Sequence, residues 1–223
     1  MTSRSLAIRV ATLAVLVLAP GAWPASVTHA DPPEEIDQSS LVPTTLDSSF
    51  APFTCRARPT GPVCTGERHL DTGWQPVDFP CDAQLHNRYV SHRHQTRYYD
   101  HELLNYDRDF RSRDVDYFST EPGGPATATI TSLVGFAEPF AVPGDDSTVT
   151  IITTGTIWDI RPVDGPAIVR VVGTVVEPPG VVGTFSGQVT REGVTTHHED
   201  EPLDEIMPEE YFLETVCRAA TGG

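Results

Sequence analysis

The chain reads as mainly β: an antiparallel meander of about six or seven strands closing into a barrel-like or sandwich domain, with one short C-terminal helix. Apolar residues recur with period two from about residue 85 onward, 148–160 and 167–176 are rich in threonine, valine and isoleucine, and proline–glycine breaks separate the runs. Ala126, Ala128, Ile130, Val134, Phe136, Phe140 and Val142 share one parity, and Thr131 lies on the other, the mark of a strand with one buried face. The runs 148–160 and 167–176 carry apolar residues on both parities and read as central strands. Glu121-Pro-Gly-Gly124, Pro143-Gly-Asp-Asp146, Arg161-Pro-Val-Asp-Gly165 and Glu177-Pro-Pro-Gly180 are turns of the kind that join antiparallel neighbours. Closure into a barrel is the expected way to hide the edges. A helix is expected over 208–217, with proline at its start, acids in its first turn and an apolar stripe of Phe212, Leu213 and Val216.

Four segments precede or make up this domain. Residues 1–30 carry Arg4 and Arg9, an apolar run over 10–18 and the small-residue site Thr28-His-Ala30, the pattern of a secretory signal peptide. The run is shorter than the roughly 20 residues of a membrane span, so a secreted or extracytoplasmic protein without one is expected. Residues 31–54, rich in proline, serine and acid, read as a flexible disordered arm. Residues 55–80 read as an irregular cysteine-containing cap, and 81–223 as the β domain with its helix.

Composition narrows the function classes. The 15 basic residues are all arginine against 31 acids, a net charge of −16; without Arg4 and Arg9 the balance is 13 against 31, or −18. Such a surface repels phosphate backbones and anionic lipid, so no nucleic-acid partner is expected. The absence of lysine excludes Schiff-base, P-loop and Ser-x-x-Lys chemistry. Cys55, Cys64, Cys81 and Cys217 form an even set in an exported chain and point to two disulfides, with three pairings open; no Cys-x-x-Cys pair supports zinc.

Phe79-Pro-Cys81-Asp82, the tyrosine- and arginine-rich first hairpin, Thr154-Gly155-Thr156-Ile157-Trp158 and a terminal helix ending Val216-Cys217-Arg-Ala-Ala220 resemble a family of uncharacterised exported β-domain proteins of high-GC Gram-positive bacteria, over residues 79–220. The resemblance implies a Cys81–Cys217 bridge, leaving Cys55 to Cys64. It implies no activity.

Several catalytic patterns fail by one residue, and no catalytic residue is assigned. His101-Glu-Leu-Leu-Asn105 lacks the second histidine of a zinc-protease helix, and Gly183-Thr-Phe-Ser186-Gly187 places serine one position late for a nucleophile elbow. Asp107-Arg-Asp-Phe-Arg lacks the glycine of a calcium loop. The candidate metal residues are His92 and His94, which share a face on a strand, with His86, His101 or Asp114 as third ligand and zinc as the ion. Ser91, Arg93, Gln95 and Arg97 look solvent-facing, which turns Val90, His92, His94, Thr96 and Tyr98 inward. The competing assignment pairs these histidines with Asp114 or Asp116 by hydrogen bonds. The arginines of 88–113 interleave with acids, as cross-strand ion pairs do. His197-His198-Glu-Asp-Glu201 is a further metal candidate that also fits a solvated acidic loop. Trp74, Trp158, Tyr98, Tyr99 and Tyr106 are candidates for a ligand cleft, Tyr98 foremost, although such aromatics commonly fill cores. The expected function is a non-enzymatic binding or interaction module for an unknown small ligand or envelope component. The alternatives are a metal-dependent hydrolase using the histidines and a purely structural envelope protein.

Overall fold

The computed structural model describes residues 36–43, 48–50 and 52–222; the expected signal peptide lies outside them. The strands are β1 (Thr54–Arg56), β2 (Val63–Asp71), β3 (Gln75–Val77), β4 (Leu85–Tyr99), β5 (Asn105–Ser119), β6 (Ala128–Ala137), β7 (Ile151–Pro162), β8 (Val169–Glu177), β9 (Thr184–Arg191) and β10 (Val194–Pro202). A single helical turn, α1 (Leu203–Ile206), leads into α2 (Glu209–Thr221). All ten strands join one antiparallel sheet in the order β1-β2-β4-β5-β6-β7-β8-β9-β10, with β3 sharing the β2 side of β4.

The mainly β, antiparallel class and the C-terminal helix are as expected, but the sheet is open and has ten strands. Seven of them span 85–202, and the other three come from the segment expected to be an irregular cap and, at Thr54, the last residue of the expected arm. Closure is unnecessary because the edges are blunted in other ways. At one end β1 is only three residues long. At the other, β10 reads VTTHHEDEP and breaks register between His198 and Glu201, so its charges and its bulge discourage pairing. The residues Val194–Thr196 of this strand are exposed.

Register assigns the two faces. Tyr89, Asp116, Ile130, Ile160 and Val169 form one cross-strand row, and Ser91, Asp114 and Ser132 form the next. This inner face holds the core: Val134, Val171, Val175, Phe185 and Val189 on one side, and Leu85, Phe118, Ala128, Ile130 and Ile160 on the other. Helix α2 lies on it through Val216, Ala219, Ala220 and half-buried Phe212, and α1 adds Ile206. Pro208 caps α2, acids Glu209 and Glu210 meet its positive end, and left-handed Gly222 ends it. The helix therefore runs four residues beyond the expected end at Cys217.

Two disulfides, Cys81–Cys217 and Cys55–Cys64, are formed, and among the described residues no cysteine is free. The first ties α2 to the entrance of β4. The second joins opposed residues of β1 and β2. Beside it the segment expected to be a flexible arm is partly packed: Leu41, Phe50 and Phe53 are buried with Cys64 and Tyr99, the Phe50 ring meeting Phe110 and the Phe53 ring lying over the bare backbone of Gly66.

A row of glycines crosses the inner face beside the core, where Gly155, Gly173 and Gly187 face one another on β7, β8 and β9. A Cβ at Gly173 would lie 2.3 Å from the Ser186 carbonyl oxygen and 2.8 Å from Phe185, whose ring covers the gap left by the missing side chains.

Opening the Cys81–Cys217 loop, 136 residues apart in sequence, is expected to cost about 4–5 kcal/mol by the chain-entropy argument. A Cys81→Ser/Cys217→Ser variant should therefore melt about 10–20 °C lower in a calorimetric scan. Gly173→Ala, which forces the neighbouring backbone apart, should destabilise by at least about 1–3 kcal/mol in urea titration.

Candidate functional site

The inner face is apolar where α2 covers it and becomes polar along β4 and β5. Ser91, Gln95, Arg97, Ser112 and Asp114 are all buried there. The sequence-based facing of β4 is thus inverted: the odd positions from Tyr89 to Tyr99 point inward, and Val90, His92, His94, Thr96 and Tyr98 lie on the outer face. Arginine and glutamine looked like solvent markers, but this strand turns both inward, and Arg93 finds partners there. Arg93 Nη2 donates to Asp114 Oδ2 at 2.8 Å and to the Tyr89 hydroxyl at 3.1 Å, and Ser91 Oγ donates to Asp114 Oδ1 at 2.7 Å. The Arg97 guanidinium stands over Phe53 at 5.9 Å.

Between the part covered by α2 and the part covered by Phe50 and Phe53, the inner face stays uncovered and forms a cleft of about 370 Å³. Asp114 and Asp116 lie on its sheet side with Tyr89, Ser132 and Trp158, and Leu203 and Phe212 wall it from the helical side. Along β5 the succession is explicit: Phe118 belongs to the core under α2, Asp116 and Asp114 to the cleft, and Phe110 to the contact with Phe50.

The two carboxylates differ. Burial pushes the Asp114 carboxyl up, but hydrogen bonds from Arg93 and Ser91 outweigh it and hold the group below the ordinary carboxylate range. Burial also pushes Asp116 up, and here the neutral amide of Asn87, donating from Nδ2 at 3.0 Å, does not offset it; the Asp114 charge adds to the rise. The cleft therefore holds one carboxylate neutralised by an arginine and one held by an amide alone.

The other predicted residues are dispersed. His92 and His94 share a face as expected, but it is the outer one. His86 is six residues from His92 along the strand, about 20 Å away, and His101 lies in the turn beyond the end of β4, so neither joins them. Asp114 is on the opposite face of the sheet. What faces His92 is His69, directly across on β2, with rings stacked at 4.1 Å. Tyr98 lines a broad depression of about 750 Å³ on the outer face with His94 and Arg111, and donates from its hydroxyl to Asp109 Oδ2 at 2.9 Å. His198 is taken up by Glu201 and Thr196 on β10. Of the aromatics, Trp158 reaches the cleft, Tyr99 is buried elsewhere and Tyr106 is exposed. Of the interleaved arginines, Arg93 pairs with Asp114 as expected, whereas Arg88 pairs with Asp71 on β2 and Arg108 with Glu138 just after β6.

Sequence reasoning missed Tyr89 and named Asp116 only as a histidine partner, whereas it bonds Asn87 in a cleft that exists only once the facing of β4 is known. It also missed His69, although Thr65, Glu67, His69 and Asp71 alternate with period two. Cysteine, proline and glycine around that run concealed the strand. No family model, curated protein or solved structure matches the chain.

Arg93→Ala leaves Asp114 charged and unpaired at neutral pH. Arg93 is partly exposed, so the loss of stability should fall below the about 3–5 kcal/mol of a fully buried pair. The lowered Asp114 pKa stabilises the native protein above the ordinary carboxylate range, and that contribution is lost as pH falls through the folded-state value. Urea titrations of both proteins should therefore converge as the medium is made strongly acidic.

Proposed function

We propose that the protein is an extracytoplasmic, disulfide-stabilised binding domain whose inner cleft takes a small organic cation. The observation that carries this reading is Asp116: a half-buried carboxylate, held by a neutral amide, on the wall of a cleft with Tyr89 and Trp158. A protein gains no stability from such a group. Its raised pKa means that the charged form is penalised in the folded state, so stability is lost as pH rises through the folded-state value. A protonated amine would reverse that penalty by pairing with Asp116, and aromatic faces nearby favour a cation. Ser132 and Thr153 add hydroxyl acceptors, and the net charge of −16 draws cations toward the surface. The volume lies within the range of small-molecule sites. Both disulfides support an extracytoplasmic setting.

The test is calorimetric titration with a series of alkyl- and arylmethyl-ammonium ions against neutral alcohols of the same shape. Ammonium ions should bind and alcohols should not. Asp116→Asn should weaken binding by at least about tenfold, the loss of about 1.4 kcal/mol, while raising the melting temperature of the unliganded protein at neutral pH. Wild-type affinity should decline on acidification from a pH above the ordinary carboxylate range, because Asp116 protonates early. Equal binding of the alcohols, or an unaltered affinity in the variant, would refute the reading.

A further inference from the structure

We propose that the outer face of the sheet carries a divalent-metal site of the zinc class, built across β2 and β4 from Glu67, His69 and His92. These three side chains each bring a ligating atom within 4.8 Å of the other two, and they are the group of this kind among the described residues. Zinc takes imidazole nitrogen and carboxylate oxygen at about 2.0–2.2 Å, which sets neighbouring ligands about 3.4 Å apart in a tetrahedron. The remaining ångström or so is within reach of rotamer changes, because all three side chains are exposed.

The backbone supplies the preorganisation. His69 and His92 are directly opposed partners in the antiparallel ladder, so their Cα atoms are about 4.5–5.5 Å apart. Their rings already lie stacked, 4.1 Å apart and 20° from parallel, so each can turn a nitrogen toward the same point. Glu67 is two residues before His69 and thus on the same face, and it brings the negative charge that a dication needs. Two cross-strand histidines and a carboxylate are a three-ligand set, which leaves a coordination position open to water or to another donor.

The surrounding charges are mixed. Asp71, the next outward residue on β2, is paired with Arg88. Arg113 faces His92 from β5 and opposes a cation, whereas His94 faces Glu67 and lies one ladder step from the site. The assignment therefore differs from a site on His92 and His94 of one strand: it requires β2, and His94 is dispensable. It is also independent of the cleft, which is on the other face of the sheet.

The experiment is isothermal titration of the untagged protein with zinc chloride, with elemental analysis after dialysis, on wild type and on His69→Ala, His92→Ala and His94→Ala. One equivalent should bind to wild type. Losing a direct ligand should weaken binding by more than the about 10–100-fold that loss of a ligand's hydrogen-bond partner costs, so His69→Ala and His92→Ala should both lose the site. His94→Ala should bind within about twofold of wild type, under 0.5 kcal/mol. The metal-free melting temperatures of all variants verify that the fold is intact, and Asp116→Asn should bind zinc as wild type does. Absence of binding to wild type, retention in His69→Ala, or loss in His94→Ala with retention in His69→Ala overturns the proposal.

Discussion

The architecture depends on covering one face of an open sheet from two directions. Helix α2 lies over the entrance of β4 and the ends of β5 to β7, anchored by Cys81–Cys217. Leu41, Phe50 and Phe53 lie over the far end of β4 beside Cys55–Cys64. Each cover is small. Neither would hold its position by burial alone as firmly as it does next to a covalent link, since short segments bring little apolar area to offset the entropy of ordering them. Between the covers the sheet is bare, and the cleft is that gap.

The choice of cover also decides what kind of residues the inner face can carry. Beneath α2 it is packed with valine, isoleucine and phenylalanine, as a half-buried sheet should be. Along the remainder of β4 and β5 it is built from Arg93, Asp114, Ser91 and Tyr89, which satisfy one another through directed hydrogen bonds. A buried polar network is tolerable only when its members find partners. Asp116 departs from that rule by having the neutral amide of Asn87 as its partner, and the cleft-binding proposal rests on that difference.

The outer face of the same two strands obeys a different logic. There no core is packed, and His92 is exposed among half-buried neighbours. The twofold alternation of β4 thus separates two chemistries by one residue: Ser91 and Arg93 hold an aspartate on one side of the sheet, and His92 stacks on His69 on the other. At the glycine row of β7 to β9, a Cβ would meet the neighbouring strand's backbone at under 3 Å, so those positions carry no side chain.

Local signals in the sequence determined a good deal of this protein. Period two with proline–glycine breaks established antiparallel strands from Leu85 onward, and the inward parity of Ala128, Ile130 and Val134 on β6 was read correctly despite Ser132, whereas the strand ends at Ala137 and Val142 beyond it is exposed. Capping chemistry located α2, and cysteine parity predicted two disulfides. The tertiary structure alone decided three things. It decided that the sheet stays open, since a bulged, charged β10 and a covering helix make closure unnecessary. It decided which face of β4 is buried, because Arg93 counts as polar in a sequence but is paired with Asp114 in the fold, and Gln95 is buried opposite the bare backbone of Gly66. And it decided which histidines meet, because His69 and His92 are 23 residues apart in the chain and become neighbours only through the register of β2 on β4, a long-range pairing that no local pattern encodes.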